Sequence, residues 1–344
     1  MPLYSIDPIQ DARWEEMVLS NPNSSVFHRK GWLKSLADTY GYIPVALTSS
    51  RPEERLSDGV AFCLVNSWLT GKRLVSLPFS DYVDPLLDSS YNAELADWMR
   101  NEIVRQHLRY VEYRSLSWRG PSDIMAPFRS FWLHSLDLTK SVDDLFANLH
   151  KSCLQRRIRK AEREYLEYDR GCSDRVLEDL FSLLLVTRRR HRLLPQPRSW
   201  FHNLATNMRP DFEIRVARKD GRAIAAIVTI RHGNQAVYKY GCSDDSYHHL
   251  GAMPFLFWKV IVESKAEGAS ILDFGRTELN NEGLVRFKDQ FGTSRRKVEY
   301  YRYPIKNSAA DVDPSRVPFA EKLISAVPDY LSWKLGEVLY RHMG

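Results

Sequence analysis

The chain has no long uninterrupted apolar run, so no segment reads as a membrane-spanning helix. Its opening stretch, MPLYSIDPIQDARWEE, carries acids where a secretion signal needs an apolar core, and a cytoplasmic location is expected. Cysteine is scarce. Cys63, Cys153, Cys172 and Cys242 form no C-x-x-C pair, so free thiols are expected and no metal site is. The adjacent His248 and His249 point apart along the chain and bring no third ligand with them. There is no G-x-S-x-G elbow and no cysteine with a histidine partner motif, so a covalent acyl-enzyme is not expected.

What is present is a chain of 344 residues, long enough for two domains, with a formal net charge of +6. The excess is concentrated at Arg156, Arg157, Arg159 and Lys160, at Arg188, Arg189, Arg190 and Arg192, and at Arg295, Arg296 and Lys297. Clusters of this kind suit phosphate groups, RNA or acidic lipid headgroups, and they also occur as plain solvated helix faces. The interleaved aromatics of an RNA-recognition sheet are missing, and no DNA partner is expected.

Periodicity predicts a mixed α/β chain in which one unit occurs twice. The first half reads as a helix over 29–40, strands at 43–48, 60–66 and 74–77, a helix over 93–108 and a strand at 110–114. The second half repeats the order with a helix over 200–207, strands at 212–218, 223–231 and 236–240, a helix over 254–267 and a strand at 271–274. Landmarks recur with it. Trp32–Leu36 parallels Trp200–Leu204, Ser80-Asp81 parallels Ser243-Asp244, and the spacing of Trp98 and Tyr113 equals that of Trp258 and Asp273. The expected division is 1–140, 141–305, and 306–344. The last part holds a polar linker and helices near 319–326 and 330–342, whose apolar Leu331, Leu335, Val338 and Leu339 should pack back on the body.

A series of short motifs runs through both halves. They are W-L-x-x-L at Trp32–Leu36, G-Y-x-P at Gly41–Pro44, L-P-F-S-D-Y-V-D-P at Leu77–Pro85 and R-R-I-R-K-A-E-R-E at Arg156–Glu164. T-R-R-R-H at Thr187–His191, Y-G-x-S-D at Tyr240–Asp244, D-F-G-R-T-E at Asp273–Glu278 and G-L-x-R-F-K at Gly283–Lys288 complete it. This order resembles the FemAB-like branch of the GNAT acyltransferase superfamily, nearest the type associated with bacterial exopolysaccharide and PEP-CTERM systems. The resemblance implies tandem GNAT-like domains, each a mixed sheet flanked by helices. It also implies transfer of an acyl or aminoacyl group to an amine of a cell-envelope or exopolysaccharide precursor.

No bound cofactor is expected. The donor would be a co-substrate: an acyl-CoA, an acyl carrier or an aminoacyl-tRNA. The acceptor would be a phosphate- or nucleotide-linked small molecule. Peripheral contact with the inner membrane stays open as a further partner. One departure bears on the donor. Enzymes of this superfamily that use acetyl-CoA carry Q/R-x-x-G-x-G/A at the pyrophosphate turn. Here the stretch is His248-His-Leu-Gly251-Ala-Met253, which keeps only the central glycine.

Acyl transfer by direct attack needs two aligned substrates, a place for the oxyanion and a route for the amine proton. Lys288, on a short helix after Gly283, is the candidate point charge, a role the resemblance supports. Asp273 and Arg276 flank the Gly275 turn at a strand end. Asp273 serves either as a catalytic group or as an internal anchor, and Arg276 could take a phosphate or carboxylate. The resemblance assigns Arg190 to the acceptor phosphate, and Arg157 with Lys160 could extend the same basic wall. In the first half Asp81 could orient the attacking amine, with Tyr82 and Asp84 beside it in a loop rigidified by Pro78 and Pro85. The alternative there is turn capping. Tyr240, Ser243 and Gly251 complete the substrate-binding set. The competing readings are a non-catalytic GNAT-fold binding protein and an acetyl-CoA-dependent N-acetyltransferase.

Overall fold

The computed structural model describes residues 2–117, 125–303 and 328–344. The chain forms two compact units. One comprises Met1–Phe131, Lys297–Pro318 and Lys334–Gly344, the other Trp132–Arg296 and Phe319–Trp333.

In the first unit the chain runs β1 (Tyr4–Ile6), α1 (Ala12–Ser20), α2 (Lys30–Tyr40), β2 (Ile43–Thr48), β3 (Val60–Val65), β4 (Arg73–Val75), α3 (Asn92–Gln106) and β5 (Val111–Ser115). Helix α2 turns Trp32, Leu33, Leu36 and Tyr40 inward, and it stops where Gly41 adopts the left-handed conformation, φ 69°. Strands β1 to β5 lie side by side in sequence order. All pairs are antiparallel except β4 and β5, which run parallel with α3 as the crossover. The core is built on Leu47, Val60, Phe62, Leu74, Met99 and Tyr113.

The second unit repeats this plan. It runs β6 (Ala126–Asp137), α4 (Val142–Asn148), one π-helical turn (Lys151–Gln155), α5 (Arg156–Arg163), β7 (Glu167–Gly171), α6 (Asp174–Arg190), α7 (Arg198–Asn207), β8 (Phe212–Lys219), β9 (Arg222–His232), β10 (Gln235–Ser243), α8 (Ala252–Ala266), β11 (Ile271–Glu278) and α9 (Glu282–Asp289). Strands β7 to β11 are again in sequence order, followed by β6. The pair β10–β11 is again parallel, with α8 as the crossover. Helices cover both faces of this mixed sheet: α6 packs on β8, β9 and β10, and α8 on β8 and β9. Alternation in β9 separates the two sides, with Ala225 and Ile227 in the α8-side core.

The chain therefore folds as two repeated units, each a mixed α/β sheet flanked by helices. Each sheet is completed by a strand that arrives late or early in the sequence. The final strand β12 (Ser294–Tyr303) pairs antiparallel with β5 through Glu299–Tyr303. The last residues of β6 belong to the second unit, where β6 lies beside β11. Helix α10 (Asp329–Tyr340) contributes to each unit separately. Trp333 meets Phe181 with ring centroids 5.8 Å apart. In the first unit, the Tyr42 hydroxyl donates to the Tyr340 carbonyl, and buried Arg73 donates to His342 O. The helix expected near 319–326 lies outside the described residues, as does the expected linker at 307–317.

Helix α5 ends in a Schellman motif. Leu166 N–H reaches Ala161 O and Tyr165 N–H reaches Glu162 O, with Tyr165 itself in the left-handed region at φ 53°. That position favours glycine, and here it carries an aromatic ring that is 87% exposed.

Candidate functional site

The defining local feature of the second unit is where β10 and β11 part. The parallel pair holds at only three positions, Gln235–Ile271, Ala236–Leu272 and Val237–Asp273. Beyond it a bulge near Lys239 shifts the register of β10 against β9. The remaining lengths of β10 and β11 diverge and leave a wedge walled by backbone. A gap between parallel strands at their carboxyl ends, beside a crossover helix, is where α/β sheets place ligands. The candidate residues of this unit lie along its two walls.

On the β11 wall, buried Asp273 accepts a hydrogen bond from Gly275 N–H at 2.6 Å. Gly275 is left-handed, φ 71°, and this lets the chain turn its carbonyls to one side. Lys288 collects them: its Nζ donates to Gly275 O at 2.8 Å and to Arg276 O at 3.2 Å. The lysine is only 3% exposed. It is seated by aromatic packing, because Phe287 and Phe291 meet each other at 5.3 Å and both meet Phe257. A buried ammonium thus sits under the strand end, with the carbonyls of Gly275 and Arg276 among its partners. Asp273, Arg276 and Lys288 are brought together here.

His134, on β6, is a member of this neighbourhood that the sequence reading missed. It is fully buried, its Nδ1 lies 3.4 Å from Thr293 Oγ1 and 3.6 Å from Asp289, and its Nε2 has no hydrogen-bond partner among the described residues. Burial first, then the charge of Lys288, pulls its pKa down to about 4. The imidazole is neutral at ordinary pH. The alternation of Trp132, His134 and Leu136 with Phe131, Leu133 and Ser135 was the available signal, and it marks a strand.

On the β10 wall, Ser243 is a hub. Its N–H donates to Thr187 Oγ1 at 2.8 Å, and its carbonyl accepts from Thr187 Oγ1 and from Arg190 Nη1 at 3.2 Å. Its hydroxyl contacts His248 Nε2 at 2.9 Å. His248 has a lowered pKa, from burial first and then from the charges of Arg190 and Arg157 among others. Arg190, Arg157, Ser243 and the Gly251 turn therefore form one electropositive neighbourhood at the start of α8. Gly251 is left-handed, φ 78°, and an added Cβ would stand 2.5 Å from the Arg157 carbonyl. Only glycine allows α5 to approach the turn this closely. Tyr240 points another way: its hydroxyl accepts from Trp200 Nε1 at 2.8 Å and its ring packs on Phe201. The wedge floor near Gly241 is occupied by Tyr238 Oη and Met253 Cε, 2.2 and 3.2 Å from where a Cβ would lie.

The remaining candidates lie in the first unit. The loop after β4 holds two strained residues, Leu77 at φ 46° and Phe79 at φ 61°, on either side of Pro78. Asp81 is buried, and its carbonyl accepts from the Tyr300 hydroxyl at 2.9 Å. Tyr82 packs edge-on against Phe27. The Asp84 carboxylate accepts from Ser115 Oγ, Leu116 N–H, Ser117 N–H and Ser117 Oγ, so it organises the chain after β5.

Among the described residues no group of three His, Cys, Asp or Glu converges on a metal-sized site, and no helix is long and apolar enough to cross a membrane.

Each of the two repeated units has a parallel strand pair joined by a crossover helix, and in the second unit the pair parts beside that helix. Residues 150–289 match the acetyltransferase (GNAT) domain family. These residues include both walls of the wedge. No curated protein shows a significant sequence match to the chain. Among solved structures, FemX is similar over 88% of this chain and 97% of its own, with TM-score 0.68 and 13% identity. The C-terminal domain of a protein described as a lysylphosphatidylglycerol synthetase from Agrobacterium fabrum is similar over 91% and 94%, with TM-score 0.57 and 14% identity. A tandem GNAT protein from the clavulanic acid biosynthesis pathway is similar over 89% and 99%, with TM-score 0.57 and 14% identity. At these identities the likeness is one of fold. Together with the family match it makes the chain a GNAT-fold, acyltransferase-like protein.

Proposed function

We propose that the protein transfers an acyl or aminoacyl group to an amine of a phosphate- or nucleotide-linked cell-envelope precursor, by direct attack within a ternary complex. The observation that carries this reading is buried Lys288 beneath the diverging end of β11, seated beside the wedge where an acyl carbonyl would lie. In the proposed step the acceptor amine forms a C–N bond to the donor carbonyl carbon. The C–S or C–O bond of the donor then breaks, and the amine proton leaves to a base while the donor thiol or hydroxyl is protonated. Lys288 supplies positive charge as the carbonyl oxygen becomes an oxyanion. Arg190, with Arg157 and Arg276, receives phosphate, and Asp273 fixes the turn from which Lys288 acts. Asp81 is assigned to the acceptor amine, with Tyr82 and Asp84 shaping its loop.

Met253, where acetyl-CoA enzymes of the superfamily carry a small residue, and its packing near Gly241 support a donor other than acetyl-CoA, with aminoacyl-tRNA or a carrier-bound acyl group in its place. FemX and the lysylphosphatidylglycerol synthetase domain are the neighbours that favour the aminoacyl form. The family match favours an acetyl-CoA-dependent N-acetyltransferase as the second reading.

A melting-temperature screen separates them, because a ligand that binds the native state stabilises it. Aminoacyl-tRNA, long-chain and acetyl-CoA, and UDP-sugars would each be added to the full chain. A rise with charged tRNA or an acyl carrier, together with a rise for a UDP-sugar acceptor, is expected. A rise with acetyl-CoA alone would move the assignment to the second reading. Silence with every donor would remove both in favour of a binding protein.

A further inference from the structure

We propose that the face formed by α4, the π-helical turn and α5 is a docking surface for an anionic phospholipid membrane. This face lies outside the wedge and stands independently of the transferase reading. It combines two properties side by side. Lys151, Arg156, Arg159 and Arg163 are exposed, and none makes an ion pair with any described residue. On the strands of the same unit, by contrast, Arg215 bonds Glu213 and Glu263, Arg218 pairs with Asp169 and Asp179, and Arg170 pairs with Glu213, Glu263 and Glu267. The carboxylates on the face itself are Asp143 and Asp144 on α4 and Glu162 on α5. Around the larger depression four open cations stand against one acid, Glu162, and an acidic bilayer surface attracts each such charge.

The second property is apolar. Two open depressions, of ≈ 840 and ≈ 370 Å³, share Lys151, Gln155 and Arg159 as a common wall. The larger is basic and bounded by exposed Tyr165. The smaller is walled by Val142, Phe146, Ala147 and Trp258. Phe146 and Trp258 meet edge to face at 5.0 Å, and the Arg159 guanidinium lies over Phe146 at 5.3 Å. A phosphate on the arginines and the first methylenes of an acyl chain in the trough would match this pattern. An exposed tyrosine beside them is the side chain favoured at headgroup depth. The platform is rigid: Gln155 Nε2 donates to the carbonyls of Phe146, Ala147 and Leu149 and fastens the turn to α4. RNA fits less well, because the trough rings pack on each other and leave no open ladder for stacked bases.

The test is co-sedimentation of the full chain with vesicles. Phosphatidylcholine vesicles with a quarter phosphatidylglycerol should bind it, pure phosphatidylcholine should not, and high salt should weaken the binding. The triple variant Arg156→Gln, Arg159→Gln, Arg163→Gln should lose about a hundredfold in vesicle affinity. A control of equal net charge, Arg295→Gln, Arg296→Gln, Lys297→Gln, should bind like wild type. Val142→Asp, which charges the trough and leaves the arginines, should also weaken binding. Equal losses in the two triple variants would reduce the effect to net charge and overturn the proposal. So would equal binding to neutral vesicles, or labelled tRNA that displaces the protein from vesicles and depends on the same three arginines. Unchanged circular dichroism of each variant ensures that a loss reports the surface and not the fold.

Discussion

Lys288 shows what burial adds to a motif. In the sequence it competes with an ordinary surface lysine. In the fold it is enclosed, with two backbone carbonyls as partners. Lys288→Met keeps the stem and removes the charge. We expect transferase turnover to fall roughly 30- to 1,000-fold, while stability falls by about 1–3 kcal/mol because those carbonyls lose their donor. Activity and denaturation measured on the same preparation check both, and wild-type turnover would remove the residue from the mechanism. Arg190→Met should instead raise the acceptor KM more than it lowers kcat, the outcome the proposed phosphate-docking role of Arg190 requires. His134 gives a prediction with a definite sign. Its folded pKa, about 4, lies below the ordinary value of 6.5, so the unfolded chain binds the extra proton between those limits. Its contribution is complete above pH 6.5 and is lost as pH falls toward 4. Denaturation of His134→Gln across that window should show a shallower fall than wild type, by at most about 1.4 kcal/mol per pH unit. An identical slope would mean that another group titrates there.

At the scale of elements, the sequence was most legible where periodicity and punctuation agreed. Helix α2 ends at Gly41 and strand β2 spans Ile43–Thr48, as the pattern of Trp32, Leu36 and the following β-branched run indicates. Of β6 only the end, just before the helix at Val142, was legible, and β12 was not. β6 alternates imperfectly because its first half is only partly covered. β12 opens with Ser294–Lys297, four exposed residues that read as a charge cluster before any strand becomes visible. Pairing between distant segments leaves no local trace, and so the strand that completes each sheet was hidden. The wedge itself is equally non-local, since it needs the register of β10 against both neighbours. Gly251 tests how tightly its rim is built. Gly251→Ala would meet the Arg157 carbonyl at 2.5 Å and force a left-handed alanine. We expect a loss of roughly 2 kcal/mol or more, read by urea denaturation. A loss under about half that would show that α5 can give way.

At the scale of the whole molecule, the duplication was readable because matching landmarks meet matching environments. Trp32 and Trp200 are both fully buried on equivalent helices, Ser80-Asp81 lies in the loop after β4, and Ser243-Asp244 lies at the end of β10, the strands that open the two parallel pairs. Each unit also holds a carboxylate among arginines. Burial raises the Glu112 pKa, but Arg114 and Arg302 pull it below the ordinary carboxylate value. Glu263 is likewise lowered by Tyr168 and Arg215 against its burial. Both contributions are complete above pH 4.5 and disappear as pH falls through the folded values. Melting temperature should therefore drop steeply below about pH 4.5, and Glu112→Gln should lessen that drop while lowering the melting temperature at neutral pH. A variant with an unaltered acid limb would exclude Glu112 from it. The left-handed Tyr165 carries the last consequence. A glycine there would relax the end of α5 and raise the melting temperature, so the present residue holds the chain below its attainable heat resistance. If vesicle binding falls in Tyr165→Gly as thermal tolerance rises, the ring is retained for what it touches outside the protein, and robustness and adhesion are traded at a single backbone angle.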